Sequence, residues 1–523
     1  MKKISCFLFS ICSILIANAQ LPAIGGHLGG SFESYTQFYQ PDKKINAILP
    51  QDRVGSNNYL KLDYNNKNFS AGVQFESYLP SIAGFPFIIN ESKLVNKYFK
   101  YAAKNFSVQA GDFYEQFGSG LIFRSWENRQ IGINNAIEGI NVQAAPLAFI
   151  KIKAIAGRQR KVFDHANSTV RGADIEIDFS TIKKGATPKT RVAAGISYVT
   201  RYQQYTGPDP DFPATVKAAA ARLDINGQAA SLSLEYVHKG KDPNAMNGLS
   251  KVKGKALLLN SSYAKKNIGI TLTLRSMSNM DFRGERNAIG TEVPVNFIPA
   301  LTRQHDYLTS NIYVYNAQSV AETGGQLDIF YNLKGTNNKP SRFALNFSHY
   351  RNLGDPDNIF SVGNNKYFQD LSIEWKKKWS QKWNATFAYH NLFYNKSVVE
   401  GGIYENIRAN IIIANVLYKY SKQKSLRFEL QNLFSQQDNG NWFAAVTEFG
   451  FAPNWSFYLS DLYNYGVTNI HYPTIGGSYS KKGSRFSLNY GRQRAGLFCV
   501  GGICRFVPAS TALTATLTTT FNN

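Results

Sequence analysis

Runs of about ten residues that alternate apolar with polar or small side chains, each ended by a turn, recur roughly every 20 residues along this 523-residue chain. A period of two is the mark of strands with one face in an apolar medium, and such runs continue almost to the C-terminus. One hairpin displays the rule. Leu223 and Ile225 share a face, Asn226-Gly227 supplies a turn needing φ > 0 at both positions, and Ala230, Leu232, Leu234 and Tyr236 resume on one face while Ser231, Ser233 and Glu235 take the other. The same pattern returns at Phe69/Ala71/Val73/Phe75, Ile268/Ile270/Leu272/Leu274, Trp383/Ala385/Phe387/Tyr389 and Leu513/Ala515/Leu517.

Residues 1–19 read as an export signal: Lys2 and Lys3, an apolar stretch from Ile4 to Ile16, then Ala17-Asn18-Ala19 before Gln20. Beyond it no apolar run reaches 18 residues, and a mean hydropathy of −0.29 is too polar for a helical membrane bundle. An outer-membrane barrel and a secreted soluble β-protein remain. Aromatic content favours the barrel. At 14% Phe, Trp and Tyr, the chain can furnish girdles at two membrane interfaces, and Trp375, Trp379 and Trp383 flank one short basic turn. A soluble chain of this length would split into cores joined by linkers, and none is visible.

The expectation is therefore an all-β fold: residues 20–523 as one large antiparallel transmembrane β-barrel of about 26 strands, within 22–26, with long extracellular loops and at least one inward-folded segment. The upper count needs a weak strand within 281–300. Short Lys-, Asn- and Gly-rich turns such as Asn66-Lys67, Lys265-Lys266 and Lys481 to Ser484 are assigned to the periplasmic side, and longer connections near 40–55, 81–94, 202–215, 240–252 and 353–366 to the outside. A barrel this wide endangers the permeability barrier unless something fills it.

The net charge of +23 fits lysines solvated in periplasmic turns, or a positive lumen and rim that attract lipopolysaccharide phosphates or anionic solutes. Nucleic acid is not an expected partner. Lys151 and Lys153 alternate with apolar residues, as do Asp174, Glu176 and Asp178; if these strands pair, opposite charges stand across from one another. Cys499 and Cys504 surround Gly501-Gly502. A two-residue turn there makes them a non-hydrogen-bonded cross-strand pair about 4.5 Å apart at Cα, within disulfide range, with the tip expected outside the cell.

Two segments depart from plain wall. Residues 111–143 carry Asp112, Glu115, Arg124, Glu127 and Arg129, too many charges for a lipid-facing strand, beside Gly118 and Gly120; a pore constriction or a rim loop would account for them. The tetrapeptide Gly-Arg-Gln-Arg occurs twice, placing Arg158, Arg160, Arg492 and Arg494 as candidate contacts for a phosphate or carboxylate.

The stretches Gly111 to Arg129, Pro299 to Tyr307, and Gly491-Arg492-Gln493-Arg494-Ala495-Gly496 leading to Cys499 and Pro508 resemble a family of functionally uncharacterised outer-membrane β-barrel proteins of Bacteroidetes. The resemblance implies an outer-membrane barrel and brings no catalytic or ligand residue. Seven histidines are scattered without metal-ligand spacing, so no enzyme, metal or cofactor is expected, although a hydrolytic constellation assembled across strands would be invisible at this level. No room is seen after the signal for a TonB-coupled plug. Three classes stand: a passive channel or transporter for small solutes, anionic ones among them; a structural or assembly subunit with a protein partner in a surface complex, expected to have a plugged lumen and exposed apolar loops; and a barrel enzyme or adhesin.

Overall fold

The computed structural model describes residues 25–47, 49–182, 189–335 and 339–522. Residues 1–19, read above as an export signal, lie outside them. Among the described residues, 24 antiparallel strands form one closed ring, with the two-residue strand Asp164–His165 added at an edge. The first strand, His27–Gln40, closes the ring on the last, Ser510–Asn522, with Gly29 opposite Asn522 and Gln40 opposite Thr511.

The count falls short of 26 because 281–300 adds nothing to the wall. Ser278 and Ala321 are paired neighbours, so the ring closes past everything between them. The hairpin Gly496–Val500 with Ile503–Val507 is likewise a separate two-stranded sheet.

Strand geometry explains the outer surface. Ile225 pairs with Leu232 and Leu223 with Leu234, so one apolar row passes from strand to strand. Leu223, Leu232, Leu234 and Tyr236 are exposed, as are Ile196, Leu274, Phe347, Ile412, Leu459 and Leu488 around the ring. Tyr331, Phe343, Trp379, Trp383, Phe451 and Trp455 form an exposed aromatic row at the end that carries the chain termini. The tight turns stand at that end, where Lys67, Lys266 and Lys482 adopt φ of 50°, 53° and 52°. The long connections, 41–53, 79–91, 203–214, 240–253 and 352–365 among them, stand at the other.

The inner face changes character along each strand. In Ala230–Lys239, rising from a tight turn, inward Ser231 and Ser233 are half-exposed, whereas Glu235, Val237 and Lys239 are buried. In Asn406–Lys419, descending from a long connection, inward Ile407, Ala409, Ile411 and Ile413 are buried, while Asn415 and Leu417 are half-exposed. The barrel is thus filled near the long connections and opens as a polar cup toward the chain termini.

Candidate functional site

Three segments fold into the barrel mouth and together form a stopper: 114–136, 279–320 and 494–509. Two apolar cores bind the first two to the wall. In one, Phe117, Leu121, Ile122, Phe123, Phe282 and Val295 of the stopper meet Val170, Val199, Val216, Val237, Ala256 and Met277 of the wall. In the other, Tyr307, Ile312, Tyr313 and Tyr315 meet Tyr394, Ile407, Ile411, Leu433 and Trp442. Each large apolar side chain buried this way contributes roughly 1.5–3 kcal/mol, so the stopper is a packed body and not a loose lid. Backbone bonds join its pieces: Arg124 N–H donates to the Val295 carbonyl (2.9 Å) and Phe297 N–H to that of Gly120 (2.9 Å).

Gly118 shows why the first segment can enter. Its φ is +53°, and a Cβ there would lie 2.8 Å from a carboxylate oxygen of Glu235 on the wall. A side chain there would push that carboxylate aside, and glycine adopts the left-handed backbone without strain. The same carboxylate accepts the Ser119 N–H at 2.8 Å.

The charged residues of this segment are spent on holding it. Glu115 accepts from Lys153 Nζ (2.8 Å), Gln143 (2.5 Å) and Asn141 (3.2 Å), all on the wall. Arg129 bonds Glu127 (3.1 Å) and Glu33 (3.0 Å) and lies over the Tyr59 ring. Arg124 sits on the Phe297 ring, 4.1 Å from its centroid. Asp112 corrects the expectation of a luminal role. Its neighbour Phe113 pairs with Ile137 in the luminal core, so the adjacent pair, Asp112 and Glu138, takes the outer face, where Asp112 accepts the Lys97 N–H at 2.9 Å.

The strands bearing Lys151, Lys153, Asp174, Glu176 and Asp178 do pair, with Lys151 opposite Glu176 and Lys153 opposite Asp174. The side chains choose other partners. Arg222 holds Asp174 at 2.6 Å and Arg191 holds Asp178 at 2.6 Å, while Lys151 stays 3.9 Å from Glu176. Arginine's fork matches a carboxylate better than the ammonium does.

The repeated tetrapeptides are not brought together. Arg160 is buried against Glu76 (2.6 and 3.0 Å), Arg492 bonds Asp42 (2.6 Å), and Arg158 and Arg494 donate to backbone carbonyls, the latter to Ala495 and Ile312. Each guanidinium is thus engaged within the protein.

The disulfide Cys499–Cys504 is formed, with Cα atoms 4.0 Å apart. Its tip does not project outward. The Gly502 carbonyl accepts the Ala300 N–H (2.8 Å), Gly501 N–H donates to Gln304 (3.2 Å), and Arg505 donates to the carbonyls of Gln130 (2.9 Å) and Gly84. A two-residue turn flanked by bonding partners on 279–320 favours tucking in over solvation. The hairpin thereby clips both other stopper segments.

Sequence reasoning missed one cluster. His305 Nε2 lies 2.6 Å from Asp370 Oδ2, His305 stacks on His390, and His390 Nδ1 lies 2.9 Å from the Ser310 hydroxyl. Ser310 and His305 belong to the stopper, Asp370 and His390 to the wall. This is not a Ser-His-Asp relay, because the carboxylate holds the other histidine. The adjoining cavity, about 20 Å³, suits about one water molecule.

A family model matches residues 1–521. The chain belongs to that family of unknown function, DUF6029. No curated protein matches it. Among solved structures this DUF6029 chain is similar to the translocation pore of the P pilus usher PapC, at 10% identity over 95% of this chain and 99% of that one, TM-score 0.43. It is also similar to the siderophore receptor PirA from Pseudomonas aeruginosa, at 10% identity over 94% and 80%, TM-score 0.40. A third is OccAB3 from Acinetobacter baumannii, at 10% identity over 95% and 99%, TM-score 0.36.

Proposed function

We propose that this protein is an outer-membrane β-barrel acting as a stoppered channel, closed at rest, through which a small solute passes when the stopper shifts. One observation carries the reading: the inner wall is buried, by apolar cores and paired charges, where loop segments cover it, and is polar and accessible in the cup below. Such a wall is matched to a closed outer end and a hydrated inner end. The exposed apolar rows and aromatic ring support a bilayer setting, since a water-soluble chain rarely bares so continuous an apolar surface. Catalysis is no part of this reading, for the Ser310 cluster lacks both relay order and space.

Planar-bilayer recordings test it. Phe113 and Ile137 are paired neighbours on adjacent wall strands, so a short turn can replace 116–134 without opening the wall. The intact protein is expected to give rare, small current steps and the variant large, persistent ones. Silence from both defeats the channel reading.

A second reading, a structural or assembly subunit of a surface complex, is favoured by apolar loop tips opposite the chain termini. Ile88 is 100% exposed, Ile403 99% and Phe360 77%. Such side chains lower their free energy against a protein partner.

A further inference from the structure

The underside of the stopper encloses a chamber that none of these contacts fills. Residues 303–307 hang into the cup, and with the inner faces of Lys366–Lys378, Trp383–Asn395, Asn406–Lys419 and Lys424–Ser435 they bound a cavity of about 340 Å³. That is the small end of ligand pockets, which run roughly 300–1,000 Å³. Its lining combines three cations, Arg303, Lys376 and Arg427, with three acids, Asp306, Glu374 and Glu429. The wall side is the charged band of the cup, nearest the tight turns, so the chamber faces the end where the chain termini lie.

The charges are unequally committed. Arg427 is occupied by Glu429 (2.6 Å) and Glu448 (2.7 Å). Glu374 receives Lys376 at 3.2 Å and the Tyr307 hydroxyl at 3.2 Å. Arg303 comes no nearer to Glu374 than 3.7 Å, beyond hydrogen-bond reach, and its Nη1 is buried with no partner among the described residues. Desolvating a guanidinium nitrogen without a partner is costly. That nitrogen is closed off from the chamber, but the rest of the Arg303 guanidinium makes no hydrogen bond among the described residues and stands open to a carboxylate, with the half-exposed Lys376 beside it. Asp306, exposed on the same loop, leaves an anionic group for the opposite end of the same ligand.

We propose that this chamber binds a small zwitterion, of the class of a free amino acid or dipeptide, its carboxylate on Arg303 and Lys376 and its ammonium toward Asp306. A ligand seated there touches stopper and wall at once, so its binding energy bears on the seam that closes the lumen. The route by which it arrives rests on the stoppered-channel reading; its binding does not.

Titration calorimetry on the purified full-length protein in detergent tests the proposal, with glycylglycine, succinate and ethanolamine as probes. Glycylglycine is expected to bind, at least tenfold more tightly than succinate or ethanolamine, which carry charge of one sign only, and at least tenfold more weakly to Arg303→Gln. Lys376→Gln, on a half-exposed side chain whose loss leaves the fold intact, is expected to weaken it in the same sense. No heat with glycylglycine, equal binding of succinate, or an affinity unchanged in both variants overturns the proposal. Because binding is read without a membrane, a silent bilayer recording would defeat the channel reading while leaving this result standing.

Discussion

His305 of the stopper and His390 of the wall lie ring on ring, centroids 4.1 Å apart and planes 29° from parallel. Asp370 anchors the first and Ser310 the second, so four side chains stitch the seam from both sides. Asp370→Asn weakens the bond to His305, and a hydrogen bond to a charged group contributes about 1.5–3 kcal/mol. Hydrogen exchange is expected to quicken across residues 302–315 while the wall strands stay protected. Uniform exchange in variant and parent would show that the seam is held by apolar packing alone.

Arg160 and Glu76 form a buried pair at the outer rim, bonded at 2.6 and 3.0 Å, with Asn96 as a further acceptor. Removing one partner leaves an uncompensated buried charge. Glu76→Gln is expected to lower stability by about 3–5 kcal/mol in denaturant unfolding, and the double change with Arg160→Met to recover much of that loss. A double variant no more stable than the single one would contradict this account.

The wall was legible because period two follows from strand covalent geometry, which is why the sequence alone shows the Leu223 to Tyr236 hairpin and, on the condition that their strands pair, the facing of the Lys151/Lys153 row by the Asp174/Glu176/Asp178 row. Cys499 and Cys504 were legible for the same reason, through a two-residue turn. Asp112 misled because its charge argued for the lumen, while its outward place is set by the pairing of Phe113 with Ile137. The stopper cluster was out of reach. His305 meets Asp370 across 65 residues and Ser310 meets His390 across 80, and where alternation lapses over 279–320 no local rule says what the chain packs against.

The disulfide closes too short a loop to stabilise the barrel much, since the entropic benefit grows with loop length. Its work is local, holding the hairpin that meets Ala300, Gln304, Gln130 and Gly84. Cys499→Ser with Cys504→Ser is expected to leave global unfolding within about 1 kcal/mol of the parent, the ordinary range of a modest substitution, yet to expose 496–507 to limited proteolysis. A large fall in global stability would instead make the hairpin part of the barrel's cooperative unit.

Asp42 ties the seam where the ring closes: it follows the first strand, bonds Arg492 at 2.6 Å and accepts the Thr511 hydroxyl of the last strand at 2.7 Å. Burial opposes its ionisation, but the hydrogen bonds from Thr511 and Arg492, the Lys44 N–H and the charge of Arg492 outweigh it and hold the carboxyl below its ordinary value. The folded chain therefore takes up this proton less readily than the unfolded chain, whose aspartates titrate near about 3.9. The stabilisation is complete above that value and is lost as pH falls through the lower, folded one. Asp42→Asn abolishes the term, so the gap in melting temperature between parent and variant is expected to be widest at neutral pH and to close on acidification toward pH 3. A gap that holds constant would mean that Arg492 and Thr511 bind the amide as well as the carboxylate, and that charge contributes nothing to closing the ring.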